Sequence, residues 1–470
     1  MLYIFIIHPI YQEPSIAVLP LENLTGNTDN EYLLSGMHHA LIGELGRISK
    51  LRVISHESTR YYKSTKMQNT DIAVELNVRY ILSGSVLSVG DSIHLILELS
   101  NARSSNQLMD SYEYHDQLAH IISMQKAVAQ KVARSLRTRP SRAERLQKEQ
   151  KRVINPDVYK AYLRGMYALH QGSEQWYKKG IAYMEAAIEL DPGDPYAYAG
   201  LALGYATLGH GQVDSEASFA RAVNAANKAI KLDPSLTEAY TALALLHLYH
   251  DWNWQLSNEA FKRALAANPN NAIAHAHYAW YHILFEDMDA AIKHAKLATY
   301  LEPLSPAYHA WLGLLYCHYA NYEKAEKAAR KALTLNNTSE QGNLILGWCN
   351  LHKKQFRQAN TCYDRLPETP HWETMKAYCY VQSGQKEKAL EIWYRFTQLE
   401  ENQELNPCYM GLLAACLGFN DRAFEYLNTA IESRIFPGAY LNYFPHTKNI
   451  RKDPRYALLM QKMQLNYIPE

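Results

Sequence analysis

No cysteine precedes Cys317 in this 470-residue chain. The six present are Cys317, Cys349, Cys362, Cys379, Cys408 and Cys416, and none forms a C-x-x-C pair. That spread fits buried free thiols better than a disulfide framework or a zinc site. An excess of charge is also missing. Lys and Arg total 48 against 47 Asp and Glu, a formal net charge of +1, so no global field points to nucleic acid. The amino terminus, "MLYIFIIHPI", is apolar from Leu2 to Ile7 and then meets His8 and Pro9. It falls short of the roughly 20 apolar residues of a membrane span. It also lacks the basic start and small-residue cleavage site of a signal peptide. Residues 1–13 therefore read as an edge strand or a frayed tail. The alternative is the end of a span in a longer parent, which would bring the chain near a membrane.

What is present can bury a core. The chain is 47% hydrophobic and 20% charged, and its length suits about three domains. Its 35 tyrosines suit helical pairs that pack through aromatic rings.

Residues 14–137 read as one unit. Ile16 to Leu21 is a short apolar run, as in a central strand. Residues 28–31, Thr-Asp-Asn-Glu, have the form of a capping box, in which Thr28 and Glu31 satisfy each other's amides. Leu33, Met37, Leu41, Leu45 and Ile48 then recur at helical spacing. "LRVIS" is a second strand, and Asp71 to Asn77 a short helix. Tyr80–Val89 and Ser92–Ala102 read as strands joined by Gly90-Asp91. Gln107 to Tyr114 is another strand, and Leu118 to Leu136 line a closing helix. The order is β-α-β-α-β-β-β-α, a mixed sheet with packed helices.

The stretch "SIAVLPLENLTGNTDNEYLLSGM" joins a strand to a helix, a place where phosphates are often held. It has one glycine, Gly26, and no lysine, so it is no phosphate loop. Asp29 and Glu31 at the helix start would repel an anion, and no G-x-S-x-G is present. Asn23-Leu24-Thr25 matches a glycosylation pattern that is common by chance. This stretch, with "ELNVRYILSGSV", "GDSIHLILEL" and "DQLAHIISMQKAVAQKVARSL", resembles the TolB amino-terminal-like domain over about 120 residues. In bacteria that domain accompanies DNA-binding, nucleotide cyclase or kinase modules. The resemblance implies a binding or sensing domain with no catalytic residues to carry over.

Residues 138–155 form a basic linker whose acids are Glu144 and Glu149. Lacking interleaved aromatics, it reads as a solvated connecting helix. From 156 to 470 the chain repeats. "ELDP", "KLDP", "AANP", "YLEP" and "TLNN" end at Pro192, Pro234, Pro269, Pro303 and Asn337, stepping by near 34 from Pro234 onward. That is the tetratricopeptide period of two helices per unit. Small residues such as Ala291 and Ala298, or Ala325 and Ala332, precede the stops where helices approach closely. The region resembles the tetratricopeptide array found with TolB-like domains, with about eight units and "DPRYALLMQKM" as a cap. Asn337 in place of proline, and the longer step before Pro234, put the packing of those units in question. The expected fold is therefore an α+β amino-terminal domain followed by an all-α tetratricopeptide solenoid.

Stacked units leave a concave face for a partner. The resemblance sets Leu246, Trp280, Leu314 and Trp348 at one groove position. Tyr249, Ile283, Cys317 and Leu351 fall at a second; His250, Leu284, His318 and His352 at a third. The three histidines could form a ladder that acid would charge, or be partly exposed residues of no special use. His275 and His277, two apart, point to different helix faces and are poor co-ligands. No nucleophile motif, metal-binding run or helix-turn-helix is found. The expectation is a non-enzymatic signalling module without cofactor, metal or direct nucleic-acid contact, holding a protein or peptide in the groove. The alternative is the sensory half of a transcriptional regulator or nucleotide cyclase. Unpaired cysteines lean toward the cytoplasm; a membrane-spanning parent would place the chain on the periplasmic side. Oligomeric state is not legible.

Overall fold

The computed structural model describes residues 14–26, 30–48, 50–104, 106–138, 153–171, 173–208, 216–400 and 405–466. The tail, Thr28 of the expected capping box and most of the basic linker lie outside them. Six strands form one sheet: β1 (Ser15–Val18), β2 (Glu22–Asn23), β3 (Arg52–Val53), β4 (Tyr80–Val89), β5 (Ser92–Asn101) and β6 (Gln107–Gln117). Their order is β3-β1-β4-β5-β6, with β2 alongside β4. β1 runs parallel to β3 and β4, and β4, β5 and β6 are antiparallel. Ile93, Leu95, Leu97 and Leu99 are buried on one face, as their alternation requires. That face carries α1 (Glu31–Gly46) and α4 (Ile121–Ser135). The other face packs on Ile72 and Ala73 of α3 (Asn69–Glu75). A one-turn helix, α2 (His56–Thr59), follows β3, with the Ser55 hydroxyl accepting from the Ser58 amide at 3.4 Å. Periodicity reading passed over it because four residues carry no period.

The array follows as eight antiparallel helix pairs among the described residues. They are α5 (Pro156–Leu169) with α6 (Glu174–Leu190), α7 (Pro195–Leu208) with α8 (Glu216–Leu232), and α9 (Thr237–Tyr249) with α10 (Trp254–Ala267). Next come α11 (Ala272–Leu284) with α12 (Met288–Leu301), α13 (Pro306–His318) with α14 (Tyr322–Leu335), and α15 (Glu340–His352) with α16 (Phe356–Tyr363). α17 (Pro370–Gln382) pairs with α18 (Lys386–Glu400), and α19 (Pro407–Leu417) with α20 (Asn420–Glu432), before a last helix, α21 (Pro454–Lys462).

The repeat is written in the turns. Trp252, Glu286, Ala320 and Lys354, each 34 residues from the next, take left-handed conformations with φ of 53–58°. In the last three of these turns an amide five residues on closes the turn: Asp287 to the His282 carbonyl, Asn321 to the Tyr316 carbonyl and Gln355 to the Asn350 carbonyl. Asn253, Asp287 and Asn321 then cap the second helices, and Asn271, Ser305 and Ser339 the first ones. Asn337 leaves this frame intact. The Ser339 amide still donates to the Asn336 carbonyl at 3.0 Å, as Ser305 does to Glu302 at 3.2 Å. The turn uses the flanking polar residues, and proline is dispensable to it.

The sheet domain does not hang from the array; it sits on the loops that end the second helices. The buried Arg52 guanidinium donates to the Asn77 and Leu76 carbonyls of its own domain at 2.7 and 3.3 Å. It also donates through Nε to the Tyr300 carbonyl at 3.1 Å and lies over the Tyr300 ring at 3.6 Å. Asn270 donates to the Gly46 and Leu51 carbonyls at 2.8 and 2.9 Å and accepts from the Val53 amide at 2.9 Å. Arg47 reaches the Ser235 carbonyl at 2.8 Å, and the Ser55 amide the Leu301 carbonyl at 2.9 Å. Gly36 allows the close approach of α1 to α5, because a Cβ there would overlap the Leu163 side chain.

Candidate functional site

The concave face of the array is filled by the chain's own carboxy-terminal segment. Two 3₁₀ turns, Gly438–Tyr443 and Pro445–Thr447, leave α20 and lie across the first helices of the middle repeats. Their rings meet the groove. Tyr443 packs against Trp280 at 5.3 Å and Trp348 at 6.5 Å between centroids, and stacks on His318 at 5.3 Å. Tyr440 meets the edge of Trp280 at 5.8 Å, and Phe436 meets Tyr249 at 5.7 Å. Offset and edge-to-face pairs of this kind add to the gain from burial. Polar contacts fix the segment in place. His446 Nε2 donates to the Thr374 carbonyl at 3.0 Å, and Asn442 donates to Glu286 at 3.2 Å. Arg451 staples the turns by donating to the Asn442 carbonyl at 2.7 Å and the Phe444 carbonyl at 3.2 Å.

This arrangement corrects the expectation of an open groove. Leu246, Ile283 and Leu314 are buried, and so present no surface to a partner. Tyr249 is buried under Phe436, its hydroxyl bonded to His277 Nδ1 at 2.8 Å. Trp280 is half-buried between Tyr440 and Tyr443. The three-histidine ladder is divided. His250 is half-buried, stacked on Phe219 at 4.2 Å and 3.6 Å from Glu216. His318 and His352 are exposed and line a common cavity, His352 stacked on Tyr322 at 3.8 Å. The physical reason is the plug: a segment far along the chain supplies the rings that a partner was expected to bring.

Beside the plug a cavity of about 910 Å³ remains. Cys317, His318, Trp348, Leu351 and His352 line it, so five of the groove residues named from sequence meet there. Tyr319, Phe356, Lys354, Lys448 and Arg451 also line it, with Glu286 as its one acidic residue. The Trp348 Nε1–H and the Tyr443 hydroxyl are buried without a hydrogen-bond partner among the described residues. Burial lifts the Tyr378 hydroxyl in the same wall to about 12, so it remains a donor at neutral pH. The Cys317 thiol is held protonated by its hydrogen bond with Cys349 and by burial. All six cysteines are free thiols, and Cys362 alone among them is only half-buried. His275 and His277 go separate ways, to His294 at 2.8 Å and to Tyr249.

Sequence reasoning missed the plug residues Phe436, Tyr440 and Tyr443. "FPGAYLNYFPHT" has no helical period, and its aromatic density was the available signal. It also passed over His38, His39, His56 and His170, which meet where α1, α2 and the end of α5 converge.

Residues 12–134 match the second domain of HilA/YgeH-like transcriptional regulators. A putative adenylate cyclase 3 of Rhizobium meliloti (strain 1021) is 27% identical over 191 residues, covering 41% of this chain. The chain spans about a third of that relative's length, 32%. Among solved structures, the Pseudomonas aeruginosa pilF protein covers 44% of the chain and 92% of its own, at 20% identity and a TM-score of 0.37. YrrB, a tetratricopeptide protein described as having an unusual peptide-binding site, covers 39% of the chain and 89% of its own, at 18% identity and TM-score 0.31. Among the described residues, no helix is long and apolar enough to cross a membrane.

Proposed function

We propose that the chain is a non-enzymatic signalling module. In this reading the sheet domain, of the TolB amino-terminal-like kind, senses or docks, and the array binds an acidic protein segment in the cavity beside its plug. The observation that carries the reading is the cavity's lining: cations and aromatic rings around two unpartnered donors, with one carboxylate. Lys354, Lys448 and Arg451 would meet carboxylates, and the Trp348 Nε1–H would donate to one of them. Trp348, Leu351, Phe356 and Tyr319 offer apolar surface to a side chain between those acids. Repeat arrays bind partners along such concave faces. The free thiols favour a cytoplasmic location.

The test is fluorescence anisotropy of the full chain with acidic, aromatic-bearing peptides. Binding should weaken about tenfold or more in Lys354→Glu/Lys448→Glu, because interface charges reversed in sign repel. Equal affinity in parent and variant would overturn the groove assignment, and turnover of a small substrate would overturn the non-enzymatic one.

The second reading is the sensory half of a transcriptional regulator or nucleotide cyclase. It is favoured by the match of residues 12–134 to a domain that stands second in regulators, and by the cyclase name of the partial relative. The coding sequence upstream of the Met1 codon decides it. An in-frame output domain supports the sensory half, and a stop codon there supports a free-standing adaptor.

A further inference from the structure

A second chemistry-bearing cluster lies away from the groove, at the seam between the sheet domain and the first repeat. His39 on α1, His56 at the start of α2 and His170 just after α5 bring ring nitrogens within 4.8 Å of one another. Their ring centroids are 4.8–5.4 Å apart. Three elements from two regions of the fold therefore converge on one point. His39 Nδ1 and His170 Nε2 are buried and make no hydrogen bond among the described residues. Orphaned buried nitrogens cost free energy unless something accepts or supplies a bond. Imidazole nitrogens gathered this closely are the kind of donor set that a metal ion takes up.

The surroundings suit that use. Glu57 Oε1 lies 3.2 Å from His170 Nδ1 and 3.5 Å from His56 Nδ1, and Arg60 holds the other carboxylate oxygen at 3.1 Å. A carboxylate behind the far nitrogen of an imidazole fixes its tautomer and leaves Nε2 free to ligate. His38, the fourth histidine, is committed elsewhere: its Nε2 donates to the Val18 carbonyl at 2.8 Å. A cavity of about 280 Å³, lined by Pro20, Leu21, Ser35, His56, Arg60 and His170 among others, opens onto the cluster. It gives an entry path and room for water as a further ligand.

We propose that His39, His56 and His170 bind a divalent transition-metal ion of the Zn²⁺ type, with Glu57 positioning His170. Three imidazoles with an open fourth position are a recognised donor set for zinc. Such an ion would join α1 and α2 of the sheet domain to the first repeat, so its binding would report on how the two regions are docked. The inference is independent of what the groove holds.

The experiment uses the untagged full chain, stripped with a chelator and titrated with Co²⁺ and then Zn²⁺. One equivalent of Co²⁺ should give a visible ligand-field spectrum that Zn²⁺ displaces. His170→Gln and His39→Gln should each lose affinity by more than tenfold, and Glu57→Gln by about tenfold to a hundredfold. His318→Ala/His352→Ala should match the parent. Circular dichroism of each variant checks that it is folded, and if one His→Gln variant fails to fold the other decides. Absence of a Co²⁺ spectrum in the parent would overturn the proposal. So would a spectrum retained in folded His170→Gln, or one lost equally in the groove variant.

Discussion

The array is covered at two places, and the two covers are built differently. The sheet domain is fastened to the repeat-ending loops by directional bonds from Arg47, Arg52, Ser55 and Asn270 to backbone partners. The carboxy-terminal plug meets the groove chiefly through Phe436, Tyr440 and Tyr443, with a cavity of about 910 Å³ left beside it. Buried directional bonds set one geometry and penalise its loss heavily. Aromatic packing tolerates exchange of one ring for another. The first cover reads as permanent structure, the second as a surface that a competing segment can share.

The largest blow to this contrast should come from Arg52→Ala. It orphans carbonyls on both sides of the seam and should cost about 3 kcal/mol or more, read as a lower urea midpoint. Loss of cooperativity between the sheet domain and the array in the same scan would confirm that the seam couples them. A change below about 0.5 kcal/mol would remove Arg52 from the fastening.

At the plug, Tyr443→Ala should cost about 2 kcal/mol. It should also raise hydrogen exchange across 436–447 while leaving β1 and α1 protected. Uniform deprotection of the whole chain would show that the plug is as structural as the seam.

The seam also carries a titration. Burial lifts the Glu302 carboxyl to about 8. The folded state therefore holds a proton that the unfolded state releases near the ordinary glutamate value, and stability falls as pH rises between those limits. Burial lowers His38 to about 3 and His275, His371 and His446 to about 4. These act in the opposite sense, raising stability with pH up to the ordinary histidine value near 6.5. Above it the Glu302 effect remains, so stability should decline between about 6.5 and 8 by at most about 2 kcal/mol. Glu302→Gln should flatten that limb in thermal unfolding scans; an unchanged decline would exclude Glu302 as its source.

The smallest effect belongs to the divided histidine set. His318→Ala/His352→Ala should flatten any pH dependence of acidic-peptide binding between about pH 5.5 and 8. His250→Ala should not, because His250 stacks on Phe219 away from the cavity. Identical profiles in parent and double variant would sink a role for the pair.

Much of the fold was legible because its signals are local. The alternation from Ile93 to Leu99 gave a strand with one buried face, and that face is buried. The stops at Pro269, Pro303 and Asn337 gave the period that the caps at Asn271, Ser305 and Ser339 obey. The groove was legible only as a position in each repeat. Trp348, His318 and His352 do reach a cavity, while Leu246, Ile283 and Leu314 turn into the packing. A 34-residue period assigns side chains to a helix face and is silent on what later covers that face.

The sequence by itself determined the succession of strands, helices and 34-residue units, because each rests on contacts within a turn, a hairpin or neighbouring repeats. Tertiary structure alone decided that the sheet domain sits on the array's loops and that residues 436–447 fill its groove. It alone brought His39, His56 and His170 together. Those contacts join residues far apart in the chain. Their specificity resides in the shapes and orphaned polar groups of two finished surfaces, which no local pattern encodes.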